Sequence, residues 1–261
     1  MTRPRDVTRL RQEVVATLRP GSNAPDGPLP PLLLTLTLVT GLVDATSYLK
    51  LGHVFVANMT GNVVFLGFGI AGAGGISVWA SLVALGSFLI GSVGGGRIGV
   101  RWAGNRGRHL AAATATELVL VAAALVVTSF SPHHLGTGSR FPVIALLAIA
   151  LGVQNAAARR LAVPDLTTTV LTMTLTGVSA DSTLAGGPGA KLGRRALAVA
   201  AMLIGALVGG VLVLKVDNPA PLAVAAALLA AVALVSYRAS RSTPDWTRAP
   251  DGRPTATRTR A

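Results

Sequence analysis

GLVDATSYLKLGHVFVANMTGNVV, residues 41–64, decides how the rest of the chain is read. It sits inside apolar sequence, yet it carries Asp44, Thr46, Ser47, Asn58, Thr60 and Asn62, with Gly41, Gly52 and Gly61 interrupting it. From Leu51 to Gly96 there is no Asp, Glu, Lys or Arg, an uncharged run far longer than a soluble core helix or strand requires. Polar, glycine-broken backbone at membrane depth is costly, because its freed N–H and C=O groups find no water there. Such a patch persists where it is buried in protein or lines a cavity.

The composition agrees. With 51% hydrophobic residues over 261 positions and a mean hydropathy of +0.60, the chain is too evenly apolar for a soluble domain. The reading is a single all-α, polytopic integral membrane domain with polar tails. There is no cysteine, which excludes disulfides, thiol catalysis and cysteine metal sites. The net charge of +13 is spread over the tails and the short links between apolar runs. Membrane topology explains that distribution, and no basic face for nucleic acid is expected. No cleavable signal peptide is expected either, because the first apolar run starts near residue 31 without a small-residue cleavage site.

Residues 1–30 form a basic N-terminal segment. Asp6 is positioned to cap a short helix with Val7, Leu10, Val14 and Leu18 at helical spacing. The segment reads equally as a surface-lying amphipathic helix or a disordered basic tail. Eight apolar segments follow within the membrane domain 31–237, at roughly 31–49, 53–72, 77–97, 110–130, 141–158, 165–182, 196–214 and 219–237. From Arg238 to residue 261 the composition predicts a disordered tail.

The segments repeat. FLIGSVGGG at 88–96 matches MLIGALVGG at 202–210, 114 residues on, and GLVDA at 41–45 matches GVQNA at 152–156, 111 residues on. Asp44 therefore corresponds to Asn155, and, with one inserted residue, MTGN at 59–62 falls opposite the threonines of 167–174. Two related four-segment halves, 31–130 and 141–237, are expected. If all eight segments crossed the bilayer, 8 of the 23 Lys and Arg residues would lie opposite the N-terminus. If the second and sixth segments enter and return, Lys50, Arg140 and Lys215 alone lie outside and 20 lie inside. The positive-inside rule favours six crossings plus two broken or re-entrant segments, with both termini cytoplasmic; eight crossings is the alternative. Three crossings per half invert the second half relative to the first, the plan of many secondary transporters.

Candidate chemistry follows from the polar groups at depth. Asp44 reads as a proton or cation site; alternatively it bonds locally to Thr46 or Ser47, or pairs with Lys50. Asn58, Thr60, Gly61 and Asn62 offer side-chain and backbone ligands for a solute or ion, or simply a helix cap and a close helix contact. Gln154, Asn155, Thr168, Thr169 and Thr172 are the second half's contribution, or interhelical glue. Glu117 is a second candidate proton relay, unless it reaches the interface or an arginine of the preceding link. Asp165 and Asp181 read as helix-end residues. The Gly91–Gly95 and Gly205–Gly209 pairs read as close-packing faces, within the chain or in a homo-oligomer. No metal site is expected at His133–His134, no phosphate loop at Gly94–Gly96, and no catalytic motif or cofactor signature occurs.

GLVDATSYLKLGHVFVANMTGN together with GVQNAAARRLAVPDLTTT resembles the YoaK-type family of bacterial inner-membrane proteins, a domain of unknown function. The resemblance covers most of 31–237 and implies a bacterial multi-pass membrane protein, with Asp44, Thr60, Gly61, Asn62, Gln154 and Asn155 in the family pattern. It brings no substrate or cofactor. The expectation is a non-enzymatic carrier or channel for an unknown small solute, with its site between 44–62 and 154–172. A non-transporting scaffold or partner-binding protein is the alternative, and an enzyme acting on lipid the third reading.

Overall fold

The computed structural model describes residues 4–21, 24–130, 137–166, 168, 171–182, 185–186, 191–216, 219–241 and 245–248. Helices follow one another, with no strand among the described residues: α1 (Pro4–Leu18), α2 (Leu29–Lys50), α3 (Met59–Ile70), α4 (Val78–Arg101), α5 (Arg106–Ser129), α6 (Thr137–Leu161), α7 (Leu171–Ala180), α8 (Leu192–Lys215) and α9 (Ala220–Arg241). A 3-10 turn at Asp245–Thr247 ends the described chain.

Six of these helices, α2, α4, α5, α6, α8 and α9, are long and apolar enough to cross a membrane. At about 1.5 Å per residue each exceeds the roughly 30 Å of a bilayer's hydrocarbon core. With 12 and 10 residues, α3 and α7 do not, so eight full crossings fail on length. The surface is apolar where a soluble protein's would be polar: Leu203, Leu207 and Leu214 of α8 are 67%, 63% and 68% exposed. Thr40, Asn62, Glu117 and Gln154 are buried instead. This is a polytopic membrane protein, with its polar groups turned inward.

The helices run further than hydropathy predicts. Arg97 and Arg101 belong to α4 and Arg106 and Arg108 to α5, leaving a four-residue link in which the Asn105 side chain accepts from the Arg108 N–H at 2.9 Å. Long arginine stems let the charge leave the apolar zone while the backbone stays helical, so charge is a poor marker of helix ends here. The termini also depart from expectation. Since α1 starts at Pro4, Asp6 lies inside its first turn and is not the cap. The helix is docked: Glu13 Oε2 accepts from Gly193 N at 3.1 Å, at the start of α8, and the absent side chain at Gly193 admits Leu10 and Val14. At the other terminus α9 continues to Arg241, and Trp246 is buried against Gly27 and Gly107. Residues 238–241 are therefore helical and 245–247 form a 3-10 turn; 242–244 and 249–261 lie outside the described residues.

The dominant packing pairs α2 with α8 and α4 with α6, while α5 lies against α9 and α6. Glycine makes the first two possible. A β-carbon at Gly91 would strike the Ile149 carbonyl and one at Gly95 would come within 2.7 Å of the Val153 carbonyl. One at Gly205 would strike the Leu38 carbonyl, and one at Gly209 would lie 2.9 Å from that of Leu42. Gly152 meets Phe88, and Gly41 meets Met202, in the same way. Each contact recurs with its α2/α6 partner 111 residues on and its α4/α8 partner 114 residues on. Both glycine pairs are consumed inside the chain, which removes them as faces for a homo-oligomer.

The ends of the bundle differ in charge. At one end Arg106 donates to Asp26 (3.1 Å) and to the Leu161 carbonyl (2.8 Å), joining the starts of α2 and α5 to the end of α6. At the other, the Arg140 guanidinium lies over Gly52. Gly205→Leu is expected to lower stability by about 3 kcal/mol or to prevent folding, since overpacking here pushes on backbone. Gly86→Leu, at a site with nothing within 4 Å, is expected to be neutral. Thermal melting in detergent checks both, and equal effects would contradict the packing described.

Candidate functional site

The stretch after α2 does not leave the bundle. Residues 51–58 turn at Gly52 (φ +93°) and His53 (φ +57°) and run back along the helix they came from. Tyr48 packs edge-on against His53 at 5.2 Å and stacks on Phe55 at 5.0 Å. One turn deeper, Asp44 Oδ1 accepts from Val56 N (3.0 Å) and Ala57 N (2.9 Å). Asn62 holds the returning stretch from the other side: its Oδ1 accepts from Phe55 N (3.0 Å) and its Nδ2 donates to Phe55 O (2.6 Å). Asn58 then caps α3, accepting from Gly61 N at 3.3 Å. The result places the N-terminus of α3 beside the inner half of α2. None of the local alternatives for Asp44 is seen: Thr46 donates to Leu42 O, Ser47 donates to the Asp44 carbonyl, and no Lys50 ion pair forms among the described residues.

α7 is held by a different device. Asp165, before it, and Asp181, after it, both bind Arg195 in the first turn of α8, each at 2.8 Å. The segment between them leaves and returns to one point, and the two aspartates, expected as helix-end residues, are its clasp.

Between the two return segments lies a cavity of about 780 Å³. Asp44, Asn58, Thr60 and Gly61 line it from the first, and Asn155, Arg159 and Thr172 line it from α6 and α7. Phe88 and Ser92 of α4 and Met202 of α8 complete the wall, together with Phe65 of α3. Phe65 in turn stacks on Phe55 at 5.8 Å and leans on Tyr48, so an aromatic group backs the wall on that side. Of the lining residues, Arg159 and Thr172 are exposed, as are Asn58 and Thr60 of the first return segment. Asp44 and Asn155 are 111 residues apart, Thr60 and Thr172 112, and Phe88 and Met202 114, the offsets of the similar sequence stretches.

Six of the expected site residues thus share one space: Asp44, Asn58, Thr60, Gly61, Asn155 and Thr172. Four others do not line it. Asn62 is spent on the Phe55 backbone, and Gln154 donates to the Thr40 hydroxyl at 2.8 Å, with its Oε1 unbonded among the described residues. Thr168 is buried in left-handed backbone (φ +60°), and Glu117 is wholly buried in α5 with neither carboxyl oxygen bonded among the described residues. That excludes the interface and an arginine as the destination of Glu117. Thr169, like His133 and His134, lies outside the described residues.

Arg159, Ser92, Phe88 and Met202 are lining residues that sequence reasoning does not single out. Phe88 and Met202 open the two matching nonapeptides, so the repeat itself marks them. Arg159 counts in the sequence only as a topology marker. The lining holds no histidine, cysteine or second carboxylate, and no metal-binding group of three acidic or histidine side chains occurs among the described residues. What the cavity offers is recognition: one carboxylate, one guanidinium, amides, hydroxyls and an apolar wall.

The comparisons with known proteins are consistent with this architecture. The chain is 34% identical over 158 residues to the UPF0700 transmembrane protein YoaK of Bacillus subtilis (strain 168), a match covering 58% of this chain and 65% of that protein. It thus spans slightly less than two thirds of the relative's length. No solved structure matches. Residues 32–235, which contain α4, α5, α6 and α8 whole and most of α2 and α9, match the family model described as a protein of unknown function, DUF1275, and the chain belongs to that family.

Proposed function

We propose that the protein is a carrier for a small polar solute in the bacterial plasma membrane, built from two duplicated and inverted halves, with both termini cytoplasmic. One observation carries the reading: a single cavity is lined from both halves by equivalent positions, Asp44 with Asn155, Thr60 with Thr172 and Phe88 with Met202. In many secondary transporters the substrate site lies at the interface of inverted halves. The charge pattern gives the orientation. Arg97, Arg101, Arg106, Arg108, Arg159 and Arg160 gather at the end that holds the Asp26–Arg106 pair, which the positive-inside rule assigns to the cytoplasm.

On this reading the cavity faces the cytoplasm, past Arg159 and Thr172. Tyr48, Phe55 and Phe65 stack together on the other side and, on the same reading, form its outer gate. Tyr48 is the position matching Arg159, 111 residues earlier, so the same place in each half forms one closed and one open mouth. Opening outward unstacks the aromatic group. Asp44, which lines the cavity while its Oδ1 holds Val56 and Ala57, is the coupling residue; Glu117, outside the cavity lining, is a separate protonatable group. The scaffold alternative draws less support, since the glycine faces it relies on are used within the chain.

Two measurements test this. In the naturally cysteine-free chain, single cysteines at Thr60, Asn155 and Thr172 are expected to react with a membrane-impermeant maleimide from the cytoplasmic side. A cross-link between a pair of cysteines replacing Tyr48 and Phe65 is expected to arrest any outward exposure. Three unreactive positions would leave the scaffold reading standing instead. Asp44→Asn retains an acceptor for Val56 and Ala57, so it folds. In proteoliposomes challenged with panels of amino acids, sugars and organic cations, it is expected to lower solute-driven proton or cation movement at least tenfold. Asp44→Ala also removes two charge-assisted hydrogen bonds, with a stability loss of about 2–4 kcal/mol. Unaltered coupling in Asp44→Asn would overturn the role given to that residue.

A further inference from the structure

A second concavity, of about 540 Å³, lies on the outside of the bundle between α5 and α9, away from the cavity described above. Its floor is alanine: Ala111, Ala112 and Ala115 from α5 and Ala233 from α9. Trp102 and Tyr237 stand at its sides. Each ring carries a guanidinium: Arg108 lies 5.6 Å from the Trp102 ring centre, and Arg241 lies 4.9 Å from that of Tyr237 while donating to its hydroxyl at 3.0 Å. Ser240 packs onto Gly107, which brings the end of α9 level with the start of α5 and puts both arginines at the same end. Ala115 and Ala233 lie about 10 Å deeper along their helices.

We propose that this groove binds an acidic phospholipid, its phosphate held by Arg108 and Arg241 and one acyl chain laid along the alanine floor. The geometry matches the ligand at each depth. Aromatic rings at a span end belong to the headgroup level. A guanidinium stacked on a ring is held in place while its N–H fork stays available to a phosphate in bidentate fashion. Below it, alanines leave a channel without polar groups, which suits a hydrocarbon chain. Basic pockets between helices at the cytoplasmic end are the usual headgroup sites.

A helix from a second copy would also fit a small-residue groove, but the charges argue against it. Glu13, Asp26, Asp165 and Asp181 are bonded within the chain, and Asp44 and Glu117 are buried. None of these six, the carboxylates whose side chains are described, is spare to meet two guanidiniums, whereas an anionic lipid brings its charge with it.

The experiment uses the full chain purified in detergent, with phosphatidylglycerol, phosphatidylcholine or inorganic phosphate added, read by thermal melting and by native mass spectrometry of retained lipid. Phosphatidylglycerol is expected to be retained and to raise the melting temperature, and phosphatidylcholine and inorganic phosphate are not. Arg108→Gln with Arg241→Gln should lower retention at least fivefold. Ala115→Leu, which fills the floor and leaves both charges, should do the same. Arg97→Gln, at the same end and outside the groove, should leave retention unchanged. Equal retention of phosphatidylcholine, an equal shift with inorganic phosphate, or an Arg97→Gln loss matching that of the double variant would overturn the proposal. So would a second protein copy, and not lipid, protecting a cysteine placed at Ala115.

Discussion

A peptide N–H has nothing to bond to in hydrocarbon, and the return of residues 51–58 along α2 is possible because side chains take the place of water. Asp44 supplies an acceptor for two consecutive N–H groups, and Asn62 supplies an acceptor and a donor for both backbone groups of Phe55. Four orphaned backbone groups at depth would cost on the order of several kcal/mol, comparable to the stability margin of a small domain. The same two residues fix where α3 begins, and α3 fixes one wall of the cavity. Asp44 is therefore structural and exposed to the cavity at once: one oxygen is committed to the fold while the side chain still lines the space.

The second constraint is backbone proximity. With lipid outside, apolar burial gives little reason for one helix to prefer another, so van der Waals contact has to do it. Gly91, Gly95, Gly152 and Gly41, Gly205, Gly209 let α4 meet α6 and α2 meet α8 at backbone distance. Each pair joins a helix of the first half to one of the second. On the proposed duplication, neither half could bury its glycine face alone, and the two halves are interlocked and do not merely adjoin. A motion that alternates access must slide or tilt these pairs without prising them open.

Much of this is legible in the sequence, for reasons that can be named. An aspartate with amide and hydroxyl side chains in apolar sequence admits few readings in oil, which is why Asp44, Asn58 and Thr60 stand out. Spacing in a repeat survives as spacing in space, which is why Asn155 and Thr172 stand out with them. Direction is not legible. Asn62 and Gln154 have the same chemistry as Asn58 and Asn155, and nothing in the one-dimensional pattern says that the former turn into backbone and hydroxyl partners. Helix ends are misplaced by hydropathy because arginine stems carry charge away from the apolar zone. Arg159 is hidden by the same fact: a cation that marks a membrane side and a cation that lines a cavity look alike in sequence. In the C-terminal tail, Trp246 is the sign of order that composition masks, a large apolar side chain with no reason to be in a solvated segment.

The two return segments are held by different devices. The first has Gly52 at its turn and one non-glycine residue, His53, in left-handed backbone, and is clasped by Asp44 and Asn62. The second places Ala162, Asp165 and Thr168 in left-handed backbone, at φ of +50°, +63° and +60°. Such conformations cost on the order of 1 kcal/mol or more each for residues with a side chain. Where the first half has Asp44 and Asn62, the matching positions are Asn155 and Thr174, a neutral amide and a shorter hydroxyl. The second segment is tied through Asp165 and Asp181, which flank α7, to Arg195 in the first turn of α8. In the proposed carrier, then, Asp44 and Asn62 brace the first return segment against α2, whereas the flanks of α7 are fastened to α8, so a tilt of α8 carries them with it.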